Sequence, residues 1–438
     1  HDADHSGELT KIRAVTAAAL RQAFTPTPRS NTVPGRDGPP ARLMAATADL
    51  QAAGLSAQAL YQAAKWEWRY KVDPGLMPDM APAHRNQRVR EVAGINSEVS
   101  RRARLLKLLA EALDNETSHA AGVRGVTVAT DGDVAGGHAQ AVKLLWQKPI
   151  ADGWPKAVLC LDATPRERLL RTILPHLDLK EDMHIESPYM RVHQIPDAPV
   201  SQHKTDISET RREKDRQTAT RHLRHIHAYI QRAARLHAKG DQDDPTGPGD
   251  HGDILVICPQ KMEEALKHTF RFRPNVEIAH FNAIRGINRW SNVRAVIVIG
   301  RPLPRSENVE NMAAAYTNRP PEQVPAHAWW YDTVTAGICG ADGTTTGIKT
   351  PSHPDPVCED VRRAVTEDEI LQAIGRGRGV NRGPENPLDV YILNDIVLPV
   401  NVDTVTPWDS VVPGVWDLQM SQGLAVAKAV DVATLYPD

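Results

Sequence analysis

The stretch DILVICPQKMEEAL, residues 253–266, decides the fold. Five apolar residues run without a polar break into Pro259, and a helical pattern begins at once. A strand with one wet face would alternate apolar and polar residues. A continuous run suits a strand buried on both faces of a parallel sheet. The same form recurs downstream in VEIAHF (276–281), VRAVIVIGRP (293–302) and PLDVYILN (387–394), with the helical TEDEILQAIG (366–375) before the last. Apolar strands alternating with helices predict an α/β fold, a parallel sheet with helices on both faces.

Upstream the pattern differs. GELTKIRAVTAAALRQAF, ARLMAATADLQAAGLSAQALYQAAKWEWRY and residues 85–114 read as amphipathic helices. The last carries apolar residues at Val89, Val92, Val99, Leu106, Leu109 and Leu113, near helical spacing. Residues 1–120 are therefore expected to be a helical region. VRGVTVAT and HAQAVKLLWQKPI read as strands around a DGDVAGG turn. KAVLCLDATP, 156–165, reads as a further buried strand, its polar tip Asp162-Ala163-Thr164 at the carboxyl end, where open α/β sheets place ligands. Asp162 also suits a cap on the helix that follows. A basic helix over about 209–238 and a Pro/Gly-rich insertion over 305–360 complete the outline. On the basic helix, a solvated face and a phosphate-tracking surface are both open readings.

The formal charge of −2 removes bulk attraction to nucleic acid, so any basic surface must be local. Cys160, Cys258, Cys339 and Cys358 are far apart with no CxxC pair. They read as reduced thiols, not as a metal or iron–sulfur site, and the expected setting is cytoplasmic. No apolar run reaches the roughly 18 residues of a membrane span. The chain starts HDADHSGE, without Met, which suggests a fragment or processed product.

Four motifs fall in order on this framework: LDATP, ILVICPQ, IRGIN and QAIGRGRG. In this order they resemble the third to sixth motifs of superfamily 2 helicases, with the nearest likeness to bacterial phage- and plasmid-type DNA helicases. The resemblance covers about residues 121–400. It implies a RecA-like fold. Residues 121–200 would hold a hairpin and a remnant of a first RecA-like domain, 201–400 a second RecA-like domain, and 401–438 a tail.

Gln372, Gly375 and Arg376 match the sixth motif, whose last arginine would fall at Gly379. Arg378 stands one residue earlier and Arg382 three later, and Arg378 is preferred as the arginine finger. Arg285, Gly286 and Asn288 resemble the fifth motif and would face nucleotide. Asp162, Ala163 and Thr164 resemble the third and would couple two motor domains, Asp162 standing where that family has serine. The resemblance also implies nucleic-acid contacts from His280, Asn282, Lys261 and Arg212. The implied cofactors are ATP and Mg²⁺, the metal not ligated by this chain. The implied partners are DNA, single-stranded or forked, and an N-terminal motor half of the same protein.

Arginines suit this chemistry because the guanidinium fork stays charged and grips phosphate bidentately. Charge developing on a transferred phosphoryl group is stabilised by such groups. The sequence contains no GxxxxGK[ST] phosphate loop and no DEAH-like box. The chain alone is therefore expected not to hydrolyse ATP. Two alternatives stand beside the helicase. One is a non-catalytic nucleic-acid-binding module derived from a motor domain. The other is a Toprim-type, primase-associated protein with Asp131 and Asp133 as Mg²⁺ ligands. His280 reads equally as a structural histidine, and Trp290 and Trp329–Trp330 as packing.

Overall fold

The computed structural model describes residues 3–24, 39–114, 125–131, 139–145, 159–181, 185–238, 253–317, 321–322, 331–423 and 425–435. Asp133, the turn over 132–138, Trp329–Trp330 and most of the loop after the basic helix lie outside these residues.

In chain order the elements begin with helices α1 (Ala3–Phe24), α2 (Pro39–Ala52), α3 (Ala57–Trp68) and α4 (Pro82–Asp114). Strands β1 (Gly125–Asp131) and β2 (Ala139–Leu145) follow, then α5 (Glu167–Ile173), β3 (Met190–Gln194), α6 (Gln202–Thr205) and α7 (Glu213–Leu236). Next come β4 (Ile254–Cys258), α8 (Gln260–Thr269), β5 (Val276–His280), β6 (Ala295–Ile299) and α9 (Ser306–Thr317). The remainder is β7 (Asp332–Cys339), β8 (Thr345–Ser352), α10 (Pro356–Ile374), β9 (Leu388–Leu393), β10 (Thr404–Val405), α11 (Trp408–Val411), α12 (Val415–Ser421) and α13 (Ala429–Leu435).

The chain divides into two compact units. The first holds 1–177, 305–330 and 353–361, and the second holds 178–304, 331–352 and 362–438. In the first unit, α1 to α4 bury Leu9, Ile12, Leu50, Leu60 and Leu109 together. The single helical run expected over 41–70 is two helices. They break around Gly54, and Ser56 caps α3 by accepting a hydrogen bond from the Ala59 N–H. Helix α4 buries its apolar residues only from Val99 onward, while Val89 and Ile95 stay exposed. Glu67, fully buried, ties three helices: it accepts a bidentate pair from Arg13 of α1 and lies 3.4 Å from Arg102 of α4. β1 and β2 pair antiparallel, as the sequence predicts, with Gly125 opposite Leu145.

Residues 159–161 differ from expectation. They form no strand, and Leu159 and Leu161 are 80% and 87% exposed. Residues 156–158 of the expected strand lie outside the described residues. An apolar run becomes a buried strand only when neighbouring strands pair with it, and among the described residues none pairs with 159–161.

The second unit is built on six parallel strands in the order β10-β3-β9-β6-β4-β5. β4 and β6 are buried at every position, which is why their sequences lack polar alternation. Helices α7 and α8 and Trp408 cover one face through Leu223, Ile226, Ile230 and Leu266. The other face is covered by the carboxyl-terminal part of α10, the segment 281–293 and the β7–β8 hairpin. The sheet reaches beyond 201–400 at both ends, taking β3 from before it and β10 from after it. The tail is docked as well. Arg232 and Arg235 of α7 pair with Asp417 of α12 at 3.3 and 3.0 Å, so that part of the basic helix is spent on packing.

The buried His227 and the half-buried His237 both favour the neutral form. Burial lowers both pKa values, against a hydrogen bond to the Arg271 carbonyl for His227 and the charge of Asp389 for His237. Among the described residues, no helix is long and apolar enough to cross a membrane.

Candidate functional site

Helix α10 crosses its face of the sheet from the carboxyl ends of the strands toward the amino ends. Thr366 near its middle donates to the Pro302 carbonyl, just past the end of β6. At its far end, Gly377 packs on Leu388 and Val296 at the starts of β9 and β6. The chain then makes two 3-10 turns, Gly375–Gly377 and Gly379–Asn381, hinged at Arg378 in the left-handed region at φ 53°. A bulky residue held there is uncommon and costs backbone energy.

This loop lies against residues 285–293, the crossover between β5 and β6. Arg376 donates through Nη1 to the Ile287 carbonyl at 3.3 Å. Arg378 donates through Nη2 to Asn288 Oδ1 at 2.5 Å. The structure therefore brings Arg376 and Arg378 together with Ile287 and Asn288. Gly286 (φ 73°) and Asn282 (φ 69°) shape the crossover, and both are exposed.

Glu369 is the residue that sequence reasoning missed. It is buried on α10, accepts from the Asn282 N–H at 2.9 Å, and pairs with Arg285 Nη2 at 2.6 Å. Sequence alone gave Asp368-Glu369 no role, since the pair is misplaced for a metal-binding box. One signal was available: an acid one helical turn before Gln372 lies on the side of α10 that meets a loop containing arginine. Gln372 is half-buried and Gly375 exposed at the helix end.

Arg382 has a different task. It is buried, and donates to the Gly377 carbonyl (Nε, 2.9 Å), the Ser291 carbonyl (2.9 Å) and the Val293 carbonyl (2.7 Å). It staples the loop to the crossover and offers no free fork. Gly379 is packed closely against β3. A Cβ there would lie 2.6 Å from Met190 Sδ and 3.4 Å from Met190 Cβ, so any side chain at 379 would have to displace the Met190 thioether.

Arg376 shares with Arg301 and Arg382 a pKa lowered by burial. Burial and the charge of Arg378 lower its pKa, while Glu369 opposes the shift. Its buried Nε has no hydrogen-bond partner among the described residues. A guanidinium always stays charged, so these effects describe a cation short of compensating negative charge. The donor set of Arg376 and Arg378 fits a phosphate group. Arg382 also borders a cavity of about 390 Å³ at the strand amino ends, shared with Arg191, Arg294, His237 and Asp389. Burial raises the pKa of Asp389, but hydrogen bonds from His193 and Arg191 outweigh it and hold the carboxyl below its ordinary range.

His280 ends β5 and shares a hydrogen bond with Glu263 of α8 at 2.5 Å, a structural arrangement. Trp290 is buried in the core. Lys261 is exposed on α8, and Arg212 is exposed at the N-cap of α7, where its side chain makes no capping bond. Asp162, Ala163 and Thr164 belong to the first unit. There Asp162 accepts from the Thr164 N–H at 3.0 Å and makes a local turn, not a cap on α5. Among the described residues no group of three or more His, Cys, Asp or Glu side chains is placed to hold a metal ion. All four cysteines are free.

The class these features define is an α/β protein whose parallel sheet carries an arginine loop docked on a neighbouring crossover. No protein-family model, no curated protein and no solved structure matches the chain.

Proposed function

We propose that this chain supplies the second, RecA-like half of an ATP-dependent DNA helicase or translocase. The observation that carries the reading is the convergence of Arg376 and Arg378 on Ile287 and Asn288, which joins the sixth-motif-like and fifth-motif-like segments in one surface. Arg376, with an unpartnered buried Nε and a cationic neighbour, would bind the terminal phosphate of ATP. Arg378 would leave Asn288 to join it. Glu369 would hold the crossover in place through Asn282 and Arg285. Arg382 would fix the loop as a rigid support, not as a finger. ATP supplies the phosphoryl group whose transfer drives such motors. Its phosphate loop and Mg²⁺ ligands would come from the N-terminal motor half, and Asp162–Thr164 would couple the two halves.

Amide hydrogen exchange of the chain with and without millimolar ATP locates the site. ATP is expected to slow exchange in 283–291 and 375–383, with AMP giving far less protection. Protection confined to other segments, or equal protection by AMP, would remove the basis for this reading.

A further inference from the structure

The helical bundle carries a second surface with its own chemistry. Tyr61, Ala64, Lys65 and Trp68 lie on one face of α3, spaced i, i+3, i+4 and i+7. They line a groove of about 200 Å³ against Arg104 and Lys107 of α4. Its floor is made by the buried Ala64 and Ala103. Trp68 is 40% exposed and Tyr70 beside it 45%. The Lys71 ammonium stands 4.5 Å from the centre of the Trp68 ring.

The cations around the groove are scarcely compensated. Lys65 and Arg104 are exposed and have no side-chain partner among the described residues. Lys107 meets only the rim carboxylate of Glu111 at 3.7 Å, a contact worth little in water. Glu67, the acid nearest in sequence, points into the bundle and is consumed by Arg13 and Arg102. Glu111 and Asp114 act on the Tyr61 end of the groove, while an apolar floor, an aromatic wall and the cations Lys65 and Arg104 on opposite rims complement one kind of ligand. It has flat apolar faces and a repeating negative charge.

We propose that the α3–α4 groove binds single-stranded nucleic acid. Bases stack on Trp68 and Tyr61, and backbone phosphates meet Lys65, Arg104 and Lys107. The two aromatics are seven residues apart, about 10 Å along the helix, which leaves room for more than one base. Stacking and phosphate contacts make the binding sequence-tolerant and salt-dependent. The choice of probe leans on the motor reading above, but the site shares no residue with the arginine loop.

The test is anisotropy of a short labelled oligo-dT strand titrated with the full chain at several salt concentrations. Trp68→Ala should weaken binding roughly 10-fold and leave the salt slope unchanged. Lys65→Ala with Arg104→Ala should weaken binding and reduce the slope by about 1.4, at about 0.7 per lost phosphate contact. A merely structural role for these residues would not split affinity from salt slope in this way. Circular dichroism melts confirm that each variant folds. No binding of the strand, or binding unchanged in all variants, overturns the proposal. Equal, Trp68-independent binding of polyglutamate overturns it in favour of a plain charged face. Binding of phosphatidylserine vesicles in place of the strand overturns it in favour of a membrane surface. Failure here alongside ATP protection of 375–383 would remove the groove alone and leave the motor reading standing.

Discussion

Replacing Arg382 by alanine is expected to destabilise the second unit by about 3–5 kcal/mol. The side chain is buried and donates to three backbone carbonyls, at Gly377, Ser291 and Val293. Bonds from a charged donor contribute roughly 1.5–3 kcal/mol each, and acceptors left buried without a donor add a penalty. Against a total stability of about 5–15 kcal/mol this is a large fraction. Lysine keeps the charge but loses the planar fork, so Arg382→Lys should recover less than half of the loss. Urea unfolding followed by far-UV circular dichroism measures the shift. A change below about 1 kcal/mol would mean that solvent or another donor replaces the guanidinium, and that Arg382 is free for other work.

The second large effect is expected in the helical bundle. Glu67 is fully buried and binds Arg13 through two oxygens, with Arg102 at 3.4 Å. Removing one member of a buried ion pair costs about 3–5 kcal/mol, because the partner charge loses its compensation. Arg13 and Arg102 are 32% and 39% exposed, so solvent recovers part of this. The net expectation for Glu67→Ala is about 2–3 kcal/mol. It should appear as a lower midpoint in the unfolding of residues 3–114, tracked by hydrogen exchange. An unchanged midpoint there would show that α1, α3 and α4 hold together through their apolar contacts alone.

The parts of the sheet that are buried on both faces were legible in the sequence. β4, β6 and β9 announce themselves because burial on two sides forbids polar alternation. β3 does not: MRVHQ has only Met190 and Val192 as apolar residues, and its pairing with 388–392 depends on contacts almost two hundred positions away. β10 is two residues long and carries no periodicity at all. LDATP misled for the opposite reason, since apolar residues at 159–161 satisfy a local pattern without a pairing partner. At the candidate site the sequence singled out Arg376, Arg378 and the 285–288 segment separately, and their contact through Ile287 and Asn288 comes from the fold. The task of Arg382 was not legible, because its acceptors at Ser291 and Val293 lie about ninety positions away. Nor was that of Glu369, whose partners are set by the path of the crossover.

The most direct measurement is the affinity of the full chain for ATP, by equilibrium dialysis, in Arg376→Ala and Arg378→Ala. A lost charge-assisted contact to phosphate contributes about 1.5–3 kcal/mol, so each variant should bind roughly 10- to 100-fold more weakly. Unfolding midpoints should stay near that of the unaltered chain, because neither side chain is a buried staple. ATP binding that is unchanged in both variants, with the fold intact, would contradict the assignment of this loop to the phosphates.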